Sequence, residues 1–467
     1  MPASPVYRHA EFSPKDPLTR QAFTSKVRIN SFRLRARISG NRADMAKDIA
    51  NAGGIVIAGG GLAGATAAKT LRAEGFKGRV TIIGAERHHP YLRPPLSKEY
   101  LLGNAAEETI PVVPPGWYAE NDVGLRLGVR VTGIRPDART VDLDDGSTLA
   151  YGSLLLATGA APRTLRLSGS DLAGVSTFRT LDDSRRLRSR LATGGLKVVM
   201  IGSGWIGMEL AAAAATYGNT VTLLGLEAIP LASAIGPDLG RFFRGLHEAN
   251  GVSFRLPASA REITGDGGAV TAVITDSGEV LPADIVVIAV GVVPETGLAQ
   301  AAGLALDNGI LTDASLRTSA SGIFAAGDVA NAMHPFTGRH HRSEHWSNAL
   351  NGGKVAARAM LGLDAALSTI PYFYTDQYDV SMEYSGFPAL AAGAETVIRG
   401  SLEDKEFIAF WQQDSRVVAG MSVNWPRKPQ PGAQKTIKAL ISARTQVSAG
   451  RLADSSAGLD QLLPADA

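Results

Sequence analysis

Residues 54–86 read GIVIAGGGLAGATAAKTLRAEGFKGRVTIIGAE. The stretch opens with Ile55-Val56-Ile57-Ala58, an apolar run short enough for a buried parallel strand. Gly59-x-Gly61-x-x-Gly64 follows, then an Ala/Leu-rich helical segment and a second apolar strand, Val80 to Ile83. An acid, Glu86, lies 22 residues past Gly64. In a dinucleotide site each part has a physical job. Gly59 lets the chain turn tightly off the strand, Gly61 leaves room for a pyrophosphate, and Gly64 lets the helix close on the sheet. The start of the helix offers unpaired N–H groups and partial positive charge to phosphates, and Glu86 can accept hydrogen bonds from a ribose. GxGxxG alone is weak evidence. Strand, glycines, helix, strand and acid in one register are strong evidence.

The device appears twice. Lys197 to Ile201 is a strand, Gly202-x-Gly204-x-x-Gly207 the turn, the run from Glu209 a helix, and Val221 to Leu224 the second strand. Two fingerprints imply two dinucleotides, and two dinucleotides in one chain imply electrons passing between them. A length of 467 residues is too great for one core. Apolar content of 45% and charged content of 19% describe a globular protein. No apolar run reaches the ~18 residues of a membrane span; Ile285 to Val293, the best candidate, reads as a buried strand.

Charge is unevenly distributed. Residues 1–44 hold nine Arg/Lys against three acids, a surplus of six, so residues 45–467 carry −3 of the total +3. The basic balance is therefore no nucleic-acid signal. The chain has no cysteine, which excludes a disulfide, a redox-active dithiol and a thiolate-held iron–sulfur cluster. Electrons that arrive must leave for an acceptor outside this polypeptide.

Residues 1–50 contain Pro2, Pro5, Pro14 and Pro17 without periodicity and read as a disordered basic extension, with a working start expected near Met45. No apolar segment of a secretory signal is present, and a cytoplasmic location is expected. Pro90-Tyr-Leu-Arg93-Pro-Pro-Leu-Ser-Lys98 reads as a stiff loop presenting Arg93 and Lys98. Short strands are expected at Leu125–Val131 and Val141–Leu143, and a buried one running from Tyr151 to the turn at Thr158-Gly159. Asp284–Pro294 reads as one strand and Glu344–Leu361 as a helix. Aromatic-rich strands follow Pro371, and Lys435–Arg444 reads as a helix. His340, His341 and His345 have only Glu344 at a usable ligand spacing, so no metal is expected.

The combination GGGLAG, PYLRPPLSK, LLLATGAAPR, GSGWIGME, GIFAAGDVA and PYFYTDQYD resembles the FAD-dependent ferredoxin reductases of three-component oxygenase systems. These belong to the glutathione-reductase-like superfamily and include the putidaredoxin, rubredoxin and biphenyl-dioxygenase ferredoxin reductases. The likeness runs in order from about Ile55 to near Leu459. It implies an α/β fold with two Rossmann-like dinucleotide-binding domains, FAD first and an inserted NAD domain, plus a C-terminal α+β domain. The expected boundaries are 51–162 and 297–370 for FAD, 163–296 for NAD(H), and 371–467 for the interface domain.

The resemblance also implies site residues. FAD would lie along Gly59, Gly61, Ala63 and Gly64 with Glu86, Arg93, Lys98, Val131, Thr158, Gly159, Arg163, Asp328 and Trp346 around it. The nicotinamide nucleotide would take Gly202, Gly204, Gly207, Glu209, Glu227 and Gly291. NADH is expected over NADPH, because Tyr217 to Gly240 contains no Lys or Arg and Glu227 would repel a 2′-phosphate. Relatives carry Glu at the position of Gly225, Asp at Leu92 and Trp at Tyr374, so fine tuning differs here. Lys98 and Glu209 are the expected catalytic pair; the competing reading makes Glu209 a complement to the first turn of its helix and Lys98 a phosphate counter-ion.

The function implied is NADH-dependent delivery of single electrons to an external [2Fe-2S]-type ferredoxin that supplies a P450 or Rieske oxygenase. A basic face of Arg416, Arg427, Lys428, Lys435, Lys438 and Arg444 is the expected docking surface. Two alternatives stand beside it: an NADH oxidase or quinone reductase, and a redox-signalling flavoprotein resembling the apoptosis-inducing factors.

Overall fold

Apolar runs with no polar alternation must be covered on both faces, which forces them into parallel sheets flanked by helices. Ile55–Ala58 (β1) is the middle of such a sheet in the computed structural model, which describes residues 44–425 and 432–463. Val80–Gly84 (β2) and Val123–Leu127 (β3) lie to one side. Ser153–Leu156 (β4) lies to the other, and all pairings are parallel. Helix α1, Leu62–Ala73, connects β1 to β2 and buries every residue from Ala63 to Ala68 as well as Leu71, so it is covered on more than one face.

A second parallel sheet is inserted before the first is complete. It runs Ser253–Arg255 (β8), Thr220–Leu224 (β7), Lys197–Ile201 (β6), Ile285–Ile288 (β9) and Val175–Thr177 (β5). The chain then returns to the first sheet, where Ile323–Ala325 (β10) pairs with β4. Helix α2 (Leu181–Leu191) precedes β6, α3 (Trp205–Thr216) joins β6 to β7, and α4 (Pro237–Ala249) joins β7 to β8. Helix α5, Trp346–Met360, packs across α1 so closely that a Cβ on Gly353 would overlap the carbonyl oxygen of Ala63. The third unit is a five-stranded antiparallel sheet. Its order is Tyr372–Gln377 (β11), Val380–Gly386 (β12), Arg416–Val423 (β15), Glu406–Gln413 (β14) and Glu395–Ser401 (β13). One face is covered by α6, Ala433–Ala443.

Several elements differ from the sequence expectation. Leu125–Val131 is not one strand: Gly128, at φ +72°, ends β3, and a separate strand begins at Val131. Asp284–Pro294 likewise breaks at Gly291, φ +95°. Its second piece, Val292–Pro294, leaves the sheet and pairs antiparallel with Ala160–Pro162, so the two crossings between the nucleotide-type units run side by side. The basic extension is not unstructured up to residue 50: residues 44–51 form a helix, with Ile49 buried beneath the first sheet. Residues 1–43 lie outside the described residues. Among the described residues no helix is long and apolar enough to cross a membrane, and no cluster of three potential metal ligands occurs.

Candidate functional site

Both glycine turns have the geometry their spacing predicts. Gly59 sits at φ +131°, and a Cβ there would overlap the carbonyl oxygen of Ala157; Gly64 has the same relation to the oxygen of Gly59. Gly202, φ +119°, faces the Ala289 oxygen, and Gly207 faces that of Gly202. The middle glycines differ. Among the described residues, chain neighbours aside, none has an atom within 4 Å of a Cβ on Gly61 or Gly204. These positions are open toward solvent space, as backbone that a ligand must approach closely should be. Helices α1 and α3 both start at these turns without a side-chain cap, which leaves their first N–H groups for an anion.

The segment from Arg93 to Lys98 forms one 3₁₀ turn, Pro94–Ser97, and drives Lys98 inward. Its ammonium lies 2.9 Å from the Glu209 carboxylate, with the two side chains 6% and 3% exposed. Glu209 also accepts from Ser97 Oγ at 2.5 Å and from Thr375 Oγ1 at 2.6 Å. Each of the three units thus contributes to one buried carboxylate. Glu209 is in the second turn of α3, not the first, so it does not complement the helix start. Losing one member of such a pair strands a buried charge, at a cost of about 3–5 kcal/mol.

A second polar network crosses above the first turn. Glu86 accepts from Arg93 at 2.9 Å and from the Tyr91 hydroxyl at 2.5 Å. Burial and the adjacent carboxylate push the Tyr91 phenol up from its ordinary value. Arg93 also donates to the carbonyl of Arg179 at 2.6 Å, and Arg179 pairs with Asp328 at 2.6 Å. Arg179 was absent from the sequence reading. It stands beside Gly159, and its Nε is buried without a hydrogen-bond partner among the described residues. Its only sequence signal was a lone Arg in Phe178-Arg-Thr-Leu-Asp-Asp, ahead of the Thr180 capping box that starts α2. Two guanidinium groups beside an open glycine turn and a helix start form a donor set suited to a diphosphate.

Other expected residues fall around the same space. Ala63 is buried under Gly327, which leads into Asp328. Thr158 and Gly159 are tied to Glu295, by Thr158 Oγ1 to its carbonyl and by its N–H to Gly159. Arg163 donates its N–H to Gly291, which brings those two together at the crossing ribbon. Val131 opens its strand at the edge of the first unit. Trp346 is the first residue of α5, two residues after the expected start at Glu344, with His345 as cap position. His345 stacks on Phe373 at 4.4 Å, and burial pushes its imidazole down to about 4. Trp346, Leu92, Pro94, Pro95, Tyr372 and Tyr374 line a cavity of about 350 Å³. Lys98 Nζ lies 5.4 Å from the centre of the Tyr374 ring on its flank.

The second turn is more open. Ile206, Leu226 and Val293, all near it in the chain or the fold, are 43%, 79% and 43% exposed, an apolar rim without cover. Gly225 follows β7 where a Cβ would overlap the side chains of Ser203 and Leu256, so a larger residue there requires both to shift. Glu227 accepts from the Ser233 N–H at 3.2 Å. Of the basic face, Lys435 and Arg416 are exposed, and Arg444 is turned onto the Phe336 ring and carbonyl. Lys438 lies 4.3 Å over the Tyr372 ring, and burial lowers its ammonium pKa. Arg427 and Lys428 lie outside the described residues. The cleft beside that face also carries acids: Asp376 and Glu383 line it and Glu99 lines the adjoining cavity.

Comparison with known proteins gives two domain matches. Residues 53–353 match the pyridine nucleotide-disulphide oxidoreductase family and 372–463 a reductase C-terminal family. The chain is 41% identical over 411 residues to the ferredoxin–NAD(+) reductase component of an anthranilate 1,2-dioxygenase system from Burkholderia cepacia, covering 87% of this chain and 98% of that one. It is 36% identical to a ferredoxin–NAD(P)(+) reductase from Sphingomonas sp, covering 85% and 94%. Among solved structures, a covalent putidaredoxin reductase–putidaredoxin complex matches with a TM-score of 0.83 and 34% identity, over 87% of this chain and 97% of that chain.

Proposed function

The chain belongs to the pyridine nucleotide-disulphide oxidoreductase family, and from that premise we propose that it is an NADH-dependent ferredoxin reductase that binds FAD at the Gly59–Gly64 turn. The residues present fit such a group: an open middle glycine, an uncapped helix start, and the buried unpartnered Nε of Arg179. Bound FAD supplies an acceptor for two electrons arriving together and a donor of one at a time, which nicotinamide alone is not. Arg93 and Arg179, paired with Glu86 and Asp328, would hold the diphosphate, and Asp328 would accept from hydroxyls of the chain beyond it. Trp346 and the amino end of α5 would face the ring, where the helix dipole favours negative charge. Glu86, engaged by Tyr91 and Arg93, sets the orientation of Arg93 as well as facing the ribose.

The observation that carries this reading is the buried Lys98–Glu209 pair. It joins the loop beside the first turn to the helix that starts at the second, so one ion pair is shared by both nucleotide sites. Lys98 and Glu209 hold the reacting rings in register and exclude water from the space between them. Although the family takes its name from disulphide chemistry, this chain has no cysteine, so the electrons leave for a separate iron–sulfur protein that feeds an oxygenase. Lys435 and Arg416 are exposed for such a partner, and a cytoplasmic setting fits a soluble carrier.

The test is direct. Purified protein reconstituted with FAD turns yellow, is bleached by NADH, and reduces cytochrome c far faster when a [2Fe-2S] ferredoxin is added. Material that stays colourless after reconstitution overturns the proposal. Turnover with oxygen alone, indifferent to ferredoxin, overturns the choice of acceptor.

A further inference from the structure

Strand β11 has two faces because its side chains alternate. Tyr372, Tyr374 and Asp376 line the cavity and cleft, while Thr375 and Gln377, each 1% exposed, point the other way into the contact with α3. Thr375 Oγ1 is 2.6 Å from Glu209 Oε1, and Gln377 Nε2 is 3.1 Å from the same Thr375 oxygen. Gln377 Oε1 is in turn 2.8 Å from Nε2 of His247, a fully buried histidine on α4. The chemistry of these groups gives the chain one direction. An ionised carboxylate only accepts, so Thr375 donates to it and must accept from its other neighbour. Gln377 therefore offers its amide N–H₂ to Thr375 and its carbonyl to His247, which donates from Nε2. Every donor points toward Glu209, and aligned bonds of this kind strengthen one another in a low-dielectric interior.

We propose that Thr375 is a positioning residue for the Glu209–Lys98 pair: the antiparallel domain reaches into the hydride-transfer site through Gln377 and Thr375, which with His247 of α4 behind them form a one-way row of donors that fixes the Glu209 carboxylate and through it the ammonium of Lys98. This rests on the role given to that pair above. Among the described residues the carboxylate has three side-chain partners on two units, Ser97 and Lys98 from the first and Thr375 from the third. Thr375 and Lys98 share Oε1, so removing the hydroxyl leaves that oxygen held by Lys98 alone and loosens the orientation of the carboxylate. A sheet otherwise placed to meet a protein partner thus also determines how well the site accepts hydride.

Four FAD-loaded variants test this: Thr375→Val, Thr375→Ser, Glu209→Gln and the Thr375→Val/Glu209→Gln double variant. Three quantities are read, the single-turnover rate of flavin bleaching by saturating NADH, the steady-state KM for NADH and the urea midpoint. Losing a hydrogen bond to a charged group slows bleaching in Thr375→Val by about tenfold or more, with the KM for NADH unchanged. Thr375→Ser stays within about threefold of the parent, because the donor is kept. The double variant is no slower than Glu209→Gln alone, and the urea midpoints of the cycle are non-additive. A rate unchanged in Thr375→Val but reduced in Glu209→Gln overturns the proposal and leaves the role of the pair standing. Rates unchanged in both overturn the two together. An effect of Thr375→Val that persists in full on the Glu209→Gln background, or that Ser does not rescue, also overturns it, since Thr375 would then act by packing.

Discussion

The two glycine turns are nearly superimposable in local chemistry and opposite in surroundings. Each has a positive-φ first glycine against a strand carbonyl, an open second glycine and a third that lets the helix close. Over the first lie α5, Asp328, Arg179 and Arg93; over the second there is an exposed rim of Ile206, Leu226 and Val293. Ligand access therefore comes from what is packed above the turn, not from the turn. On the proposed assignment, the covered site suits a nucleotide kept through many cycles and the open one a nucleotide exchanged each time.

Substitution at the first glycines attacks what the sites share. Gly59→Ala and Gly202→Ala each combine positive-φ strain with overlap on a strand carbonyl, costing about 4 kcal/mol. Urea midpoints should fall by similar amounts for the two; a much milder Gly202→Ala would break the equivalence. The ion pair between the sites comes next. Lys98→Met alone leaves Glu209 buried and unpaired, at about 3–5 kcal/mol, whereas Lys98→Met/Glu209→Leu removes both charges and recovers most of that. The double variant should be stable and still slow to accept hydride, as read by thermal melting alongside flavin bleaching.

Acid tests the side of the second unit. Burial holds His247 at about 4 against an ordinary 6.5, so it is neutral in the folded chain while the unfolded chain takes up a proton below 6.5. Its contribution is complete above 6.5 and is lost as pH falls toward about 4, a change of about 3 kcal/mol. His247→Phe should flatten that limb of a stability–pH curve. The smallest effects separate the two sites most cleanly. Gly61→Val should weaken FAD retention and Gly204→Val should raise the KM for NADH with FAD retained, each by about tenfold where the backbone must meet a phosphate. Loss of FAD from Gly204→Val would contradict the division of labour.

Much of this was readable from the chain, and the reason is local. Both fingerprints place strand, turn and helix within a short span, so β1, β2, β6 and β7 fall within a residue of where apolar periodicity puts them. The Lys98–Glu209 contact came instead from family likeness, since 111 positions separate its members. Arg179 and the Thr375–Gln377–His247 row left no legible mark, because a single polar residue carries no period and its partner is 130 positions away. Strand breaks at Gly128 and Gly291 were missed because the flanking residues are as apolar as a continuous strand; only the positive φ tells them apart. The basic stretch after Ser415 read as one face, yet Arg444 and Lys438 are spent on aromatic rings.

One topological detail bears on how the molecule is made. Strand β10 adds to β4 on the first sheet, yet the ribosome delivers it only after the whole inserted unit. At typical translation speeds the interval is on the order of ten seconds or more, long against the folding time of a parallel α/β domain. The inserted unit thus matures while its host still shows a raw sheet edge beside Ser153–Leu156, and nascent chains of this protein should be most dependent on chaperones during that interval.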